Sequence, residues 1–122
     1  MDRQAIFDYA KKKYGTEPEY LWMKYPSYAV LRHQDNQKWY GIVMDVPRNK
    51  LGLTGVEIVD ILDVKCEPLM IDLLRQSPGF LPGYHMNKSN WVSILLDGAV
   101  PDDTILDLLD KSFQNTMKKQ KK

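Results

Sequence analysis

Residues 27–46 read SYAVLRHQDNQKWYGIVMDV, two runs of aromatic and branched side chains about the polar tetrapeptide Gln34-Asp35-Asn36-Gln37. Such side chains fit a pleated, half-buried surface, and a short polar interruption lets the chain double back. The spacing predicts a β-hairpin of Ser27 to His33 and Lys38 to Val46. A hairpin here decides the fold class, because any helices on either side must then pack on a sheet.

On the N-terminal side, Asp2 can cap a helix over residues 2 to 13, in which Ile6, Phe7, Ala10 and Tyr14 recur at three- and four-residue spacing before the stop at Gly15. Residues 16 to 26, with Pro18 and Pro26 around Leu21-Trp22-Met23-Lys24-Tyr25, read as an irregular connection whose aromatics lie against the core. On the C-terminal side, a loop begins at Pro47-Arg48-Asn49-Lys50-Leu51-Gly52. Val56 to Lys65 then gives a third strand with Ile58, Asp60, Leu62 and Val64 on one parity. Glu67 and Pro68 open a short helix carrying Leu69, Met70, Leu73 and Leu74, broken by Ser77-Pro78-Gly79. Tyr84-His85-Met86 is expected as a fourth short strand, and Trp91 to Leu96, closed by Asp97-Gly98, as a fifth. Pro101-Asp102-Asp103 starts the last helix, with Ile105, Leu108, Leu109, Phe113 and Met117 along one face. The order α-β-β-β-α-β-β-α describes an α+β domain: an antiparallel sheet of about five strands with helices packed on one face and the other face free for solvent or a partner.

A chain of 122 residues, 43% hydrophobic and 27% charged, suits one domain with one core. That domain is expected over residues 1–117, with 118–122 (Lys118-Lys119-Gln120-Lys121-Lys122) as a frayed basic tail. The absence of any run of about 18 apolar residues, or of an apolar N-terminal segment, points to a cytoplasmic protein without a membrane partner. The single cysteine, Cys66, reads as a buried small hydrophobe. Net charge is +1, so no global field draws the chain toward nucleic acid or anionic lipid. The basic excess is local: nine Lys and Arg against six Asp and Glu in residues 1 to 50, three against six in 51 to 100, five against four thereafter.

Few constellations carry chemistry. His33, His85, Cys66 and the scattered carboxylates form no HxH, HExxH or CxxC pattern, so no metal is expected, and Asp60, Asp63 and Glu67 read as a solvated strand end. Ser89 and Ser93 lie near His85 without a nucleophile-elbow motif, and Gly52-Leu53-Thr54-Gly55 lacks a phosphate-binding pattern. No catalytic residue and no cofactor is expected, and the chain is read as not an enzyme. Nucleic acid has more material, since Arg32, His33, Lys38, Arg48, Lys50 and Lys88 lie on hairpins and loops from which a β-ribbon reaches phosphates, with Trp39 and Tyr40 beside them.

The stretch Pro82-Gly83-Tyr84-His85-Met86-Asn87-Lys88, then Trp91, then Leu96-Asp97-Gly98, closely resembles the signature of the MmcQ/YjbR family. Lys38-Trp39-Tyr40-Gly41-Ile42 and Val64-Lys65-Cys66-Glu67-Pro68 resemble two further segments of it, whereas Pro26-Ser27-Tyr28 stands where a Pro-Phe-Gly is expected. The resemblance implies a frataxin (CyaY)-like fold and a role in DNA binding through paired β-hairpin wings. Frataxins hold iron on an acidic ridge of the first helix; here that helix carries only Asp2 and Asp8 and ends in Lys11-Lys12-Lys13, so the iron site does not follow from the fold. Together these point to a DNA-binding protein with Arg32, Lys38, Arg48, Lys50 and Lys88 on phosphates and His85 and Asn87 as polar contacts. Pro82, Gly83, Trp91, Asp97 and Gly98 serve the structure of the signature, Trp91 in the core and Gly83 and Asn87 at bends with positive φ. His85 can also be a structural histidine bonded to nearby backbone, while Lys88 shows no structural reason for its place. Two other functions stay open: a protein-interaction or small-ligand module using the free sheet face or the signature pocket, and an enzyme of unrecognised type. A monomer is expected.

Overall fold

A computed structural model describes residues 1–117; the basic tail expected at 118–122 lies outside them. The elements are α1 (Arg3–Tyr14), β1 (Ala29–Arg32), β2 (Trp39–Pro47), a 3-10 turn (Arg48–Leu51), β3 (Ile58–Lys65), α2 (Pro68–Leu74), β4 (Phe80–Pro82), β5 (Trp91–Leu95) and α3 (Asp102–Thr116). The five strands form one antiparallel sheet in the order β1-β2-β3-β5-β4, so the α+β expectation holds in class and in element order.

Local chemistry sets the helix ends. Asp2 Oδ1 accepts from the Ala5 N–H at 2.9 Å, and Gly15, at φ 68°, ends α1 in the left-handed conformation that glycine adopts freely. α1 buries Ile6, Phe7 and Ala10, α2 buries Ile71, and α3 buries Ile105, Leu108 and Leu109; all join Ala29, Leu31, Tyr40, Val43, Leu62, Val64, Val92 and Ile94 in one core on one side of the sheet. Met117, expected on the apolar face of α3, lies past the helix and is exposed. In α2, Leu69 and Leu73 also point to solvent, because a two-turn helix can bury only one side.

One irregularity on the hairpin aims the rest. Leu31 pairs with Gly41 but Arg32 pairs with Trp39, so Tyr40 is an extra residue on β2. The bulge sends Tyr40 into the helix-side core, where its hydroxyl donates to Thr16 Oγ1 at 2.6 Å, and its carbonyl accepts from Ser112 Oγ of α3 at 2.6 Å. The same Ser112 Oγ accepts from the Lys65 N–H at 2.9 Å, tying α3 to both β2 and β3. Gly41 permits the close approach: a Cβ there would stand 3.2 Å from Leu109 Cδ1.

Two expectations are corrected. The fourth strand is Phe80–Pro82, paired with Ile94, Ser93 and Val92, and not Tyr84-His85-Met86. Gly83 lies so close to Trp91 that the chain must turn away from the ladder there, and His85 follows with φ 62°. Secondly, the face away from the helices is not free. Tyr28, Val30, Ile42, Met44, Val46, Ile61, Trp91 and Leu95 form a second buried cluster there, with Trp22, Trp39, Tyr84 and Met86 packed against it. Two irregular segments, residues 20–28 and 83–90, cover that face in place of helices. Asp60, on the helix-side parity of β3, takes a two-point ion pair from Arg3 of α1, Nε to Oδ2 and Nη2 to Oδ1, both at 2.9 Å.

A methyl group at Gly83 would stand 2.7 Å from the Trp91 carbonyl oxygen and 2.8 Å from its Cβ, both held in β5. Gly83→Ala is therefore expected to lower the unfolding free energy by about 1–3 kcal/mol, as overpacking does, read from the urea midpoint at unchanged m-value.

Candidate functional site

The second face of the sheet is where side chains of distinct chemistry meet. Glu19 pairs with Val30 through two backbone hydrogen bonds of 2.9 and 2.8 Å on the outer edge of β1. The chain then arches over the sheet and returns at Tyr28. Under this arch Trp22 sits edge-on to Tyr28 (5.8 Å between centroids, 74°) and to Trp39 (5.6 Å, 79°), while Tyr25 stacks on Tyr28 at 4.6 Å. Trp39 is available because the bulge at Tyr40 turns it to this side, together with Ile42 and Met44.

The opposite wall is the signature loop. Asn87 organises it: its carbonyl accepts from the N–H groups of Asn90 (3.1 Å) and Trp91 (2.9 Å), and its Oδ1 accepts from the Ser89 N–H at 2.9 Å. Lys88 Nζ reaches back to donate to the Gly83 carbonyl at 3.2 Å. Tyr84, His85 and Met86 are thereby held against the sheet, with the Tyr84 and His85 rings 4.0 Å apart. Between the walls lies a cleft of about 400 Å³ lined by Trp22, Tyr25, Tyr28, Trp39, His85 and Met86, with Ile42 and Met44 as its floor.

Beside that floor stands a buried acid. Asp63 is the cross-strand partner of Ile42 on one side and Ser93 on the other, and it is fully buried. Ser93 Oγ accepts from the Tyr84 N–H at 2.9 Å and donates to Asp63 Oδ1, but Asp63 Oδ2 has no hydrogen-bond partner among the described residues. Burial pushes the Asp63 carboxyl up to about 8, against the opposing pull of the Ser93 hydrogen bond and the Lys88 charge. Burial likewise raises the Tyr28 hydroxyl to about 12, helped by the nearby Tyr84 and Tyr25 hydroxyls and by Asp45 and Asp63. The expectation that Asp60, Asp63 and Glu67 form a solvated strand end therefore fails: Asp60 is ion-paired and Asp63 is in the core, while Glu67 alone is exposed.

The residues expected to contact phosphate do not gather on one surface. Arg32 is held by Glu19 through Nε to Oε2 (2.7 Å) and Nη2 to Oε1 (2.6 Å), fastening the arch to β1. Arg48 Nε donates to the Thr54 carbonyl at 2.9 Å and its Nη1 lies 4.0 Å from Asp97 Oδ2, so it is engaged by its own loop and by the turn after β5. Arg48 and Lys50 follow the far end of the nine-residue β2, about 30 Å from Lys38 at the near end. His33 is buried, its Nε2 within hydrogen-bond distance of Thr116 Oγ1 (2.8 Å) and the Phe113 carbonyl (3.1 Å), and burial lowers its pKa. Lys38, His85, Asn87 and Lys88 do share the cleft end of the sheet, all exposed.

Within the signature, Trp91 is buried as expected. Positive φ falls on His85 rather than on Gly83 or Asn87, and His85 has no hydrogen-bond partner among the described residues, so it is not a backbone-satisfied histidine. Pro82 ends β4, while Asp97 Oδ1 accepts from the Ala99 N–H at 3.0 Å and Gly98 turns at φ 92°. Cys66 is buried, its thiol pushed up to about 11 by desolvation. Sequence pattern alone gives Asp63, Trp22, Tyr25, Tyr28 and Met86 no place in the site: Asp63 reads as part of a solvated strand end, and Trp22 and Tyr25 as aromatics lying against the core. The one signal is that Ser93 interrupts an otherwise apolar β5 and that Asp63 breaks the apolar run from Ile61-Leu62 to Val64 in β3.

Residues 11–115 match the family model described as YjbR. The chain is 49% identical over 116 residues to the uncharacterised protein YyaQ of Bacillus subtilis (strain 168), covering 95% of this chain and 98% of that one. A crystal structure of a protein from Pseudomonas syringae superposes with a TM-score of 0.94 at 47% identity, over 96% of this chain and all of that one. Deinococcus radiodurans protein DR2400 shares the fold at a TM-score of 0.65 and 24% identity, over 85% of this chain and 70% of that one. Among the described residues no helix is long and apolar enough to cross a membrane.

Asp63 binds its proton more tightly in the folded protein than a carboxyl does in the unfolded chain, so stability declines as pH rises from about 4 toward about 8. Asp63→Asn keeps an acceptor for Ser93 and removes the ionisation. It is expected to flatten that decline and to stabilise the protein by on the order of 2 kcal/mol at pH 8, read from urea denaturation at pH 5 and pH 8.

Proposed function

This chain belongs to the YjbR family, and with its cleft as the second premise we propose that it is a non-catalytic binding protein whose site takes a small organic ligand. The observation that supports this most is the meeting of four aromatic side chains, Trp22, Tyr25, Tyr28 and Trp39, over an apolar floor in one cleft. Concave, mostly apolar sites with a few polar groups are what small molecules use. Ser93 Oγ donates to Asp63 Oδ1, but both residues are fully buried and outside the cleft lining, and His85 makes no serine contact among the described residues, which weighs against a nucleophile open to the cleft.

Nucleic acid is a second reading, favoured by the exposed Lys38 and Lys88 at the cleft end, neither of them in an ion pair among the described residues. An unpaired base in the cleft with phosphates on these two lysines would join the aromatic and basic features. The separation of Arg48 and Lys50 from that end weighs against a broad duplex footprint.

Emission from Trp22 and Trp39 is the direct readout, since both line the cleft. Adenine and other non-fluorescent one- and two-ring probes are expected to quench it saturably below millimolar concentration, and Met44→Phe, which reshapes the floor without adding an indole, should weaken the response. A flat titration with every small probe would remove the small-ligand proposal. Anisotropy of a labelled single-stranded 15-mer at several salt concentrations tests the second reading: two phosphate contacts predict a log–log salt slope of about −1.4, reduced by Lys88→Glu. No binding at low salt removes it.

A further inference from the structure

Resting on the small-ligand proposal, we infer that the cleft selects an organic cation, an alkylated ammonium head, over a neutral molecule of the same shape. Two independent features of the site point there, one of shape and one of charge.

The shape comes from ring orientation. Trp22 meets Trp39 at 79° and Tyr28 at 74°. A slot for a flat ring needs parallel faces on either side, whereas walls meeting near right angles form a corner. A rounded head placed in a corner touches two or more walls at once. An ammonium bearing methyl or methylene groups is such a head, and it is attracted to the faces of Trp and Tyr by their quadrupoles within about 6 Å. Met86 adds a polarisable thioether to the lining.

The charge comes from Asp63. Asp63 is the direct cross-strand partner of the floor residue Ile42, their Cβ atoms about 5 Å apart, so it is the carboxylate next to that floor. The carboxyl has one oxygen without a partner in a dry environment, where charge–charge attraction is far stronger than in water. The groups around it compensate that charge only in part, through the Ser93 hydrogen bond and the Lys88 charge. β2 presents Ile42; β5 presents Ser93, which bonds only Oδ1; the segment before β1 presents the Tyr28 hydroxyl. The signature loop presents Tyr84 and Lys88, and Lys88 Nζ spends itself on the Gly83 carbonyl without forming an ion pair to Asp63. A cation in the cleft would draw the proton off Asp63 and supply the missing partner, so binding releases a proton and strengthens as pH rises toward 8.

Choline and its neutral carbon isostere 3,3-dimethylbutan-1-ol test this, titrated against tryptophan emission at pH 6 and pH 8.5. Choline is expected to bind at least tenfold tighter than the alcohol at pH 8.5, with the preference shrinking at pH 6. Asp63→Asn should erase the preference at both pH values and leave the alcohol's affinity unchanged. Lys88→Met removes the competing cation and should raise the ratio of choline to alcohol affinity, whatever loosening of the loop weakens both, which keeps the test usable should the Asp63 variant fold poorly. His85 also lines the cleft, and His85→Gln shows whether it contributes to the pH dependence. Equal binding of the two ligands, or binding of the alcohol or the ring probes without choline, overturns the cation inference and leaves the small-ligand proposal standing. Failure of every probe overturns both. A preference for choline undiminished in Asp63→Asn overturns the role of the carboxyl.

Discussion

The Tyr40 carbonyl, held by Ser112 Oγ, is the constraint on which the rest of the molecule depends. A bulged residue leaves a backbone carbonyl out of the ladder, and burying that carbonyl without a partner would cost about as much as a lost hydrogen bond. Ser112 supplies the partner and, through the Lys65 N–H, ties the two central strands to α3 with one hydroxyl. The bulge also shifts side-chain parity. Tyr40 enters the helix-side core, and Trp39 crosses to the face of Ile42 and Met44. Without that one-residue shift the strand would place Tyr40 over the second face and the cleft would lose a wall.

The two faces of the sheet are stabilised differently. Three helices cover one face with aliphatic side chains from α1, α2 and α3. Two loops cover the other, and loops bury surface less completely while carrying more polar backbone. Their anchors are few and specific: the Glu19–Val30 bridge and the Glu19–Arg32 ion pair for one, Gly83 against Trp91 and the Asn87 turn for the other. The cleft is the gap that remains between them, and the buried Asp63 stands one strand over from its floor residue Ile42. A fold selected for stability alone gains nothing from an ionisable group there, since an apolar residue in the Asp63 position would remove the desolvation penalty.

Much of this architecture was legible from residue pattern. The hairpin at 27–46, the cap at Asp2, the stop at Gly15 and the apolar periodicity of α3 are local signals, and local signals set element type. Strand four was misplaced because Phe80-Leu81-Pro82 is short and ends in proline, while Tyr84-His85-Met86 has better strand composition but is bent by the Gly83–Trp91 contact. The cleft was not legible, because it depends on which strands are neighbours. Asp63 and Ser93 become a pair only once β3 lies beside β5, and Trp39 becomes a wall only once the bulge is known. Gly41 was the available hint, since a glycine inside a strand often marks a bulge or a close approach.

The basic residues illustrate the same limit from the other side. Arg32 and Arg48 looked free in a one-dimensional count and are not: each guanidinium has a partner that fixes a loop. The polar residues of the signature divide likewise once placed. Gly83, Asn87 and Trp91 hold the loop in shape, Lys88 closes it onto the Gly83 carbonyl, and His85, at positive φ and without a side-chain hydrogen bond among the described residues, is left facing the cleft. Backbone strain in a non-glycine residue persists only where surrounding contacts over-determine it, and such residues gather at functional sites. Among the described residues two non-glycine positions have positive φ, Gln37 in the hairpin turn and His85; His85 and the aromatic corner meet at one cleft, and the buried Asp63 stands beside its floor. That convergence, rather than any single member of the signature, is the reason to place function on the face of the sheet that the helices leave uncovered.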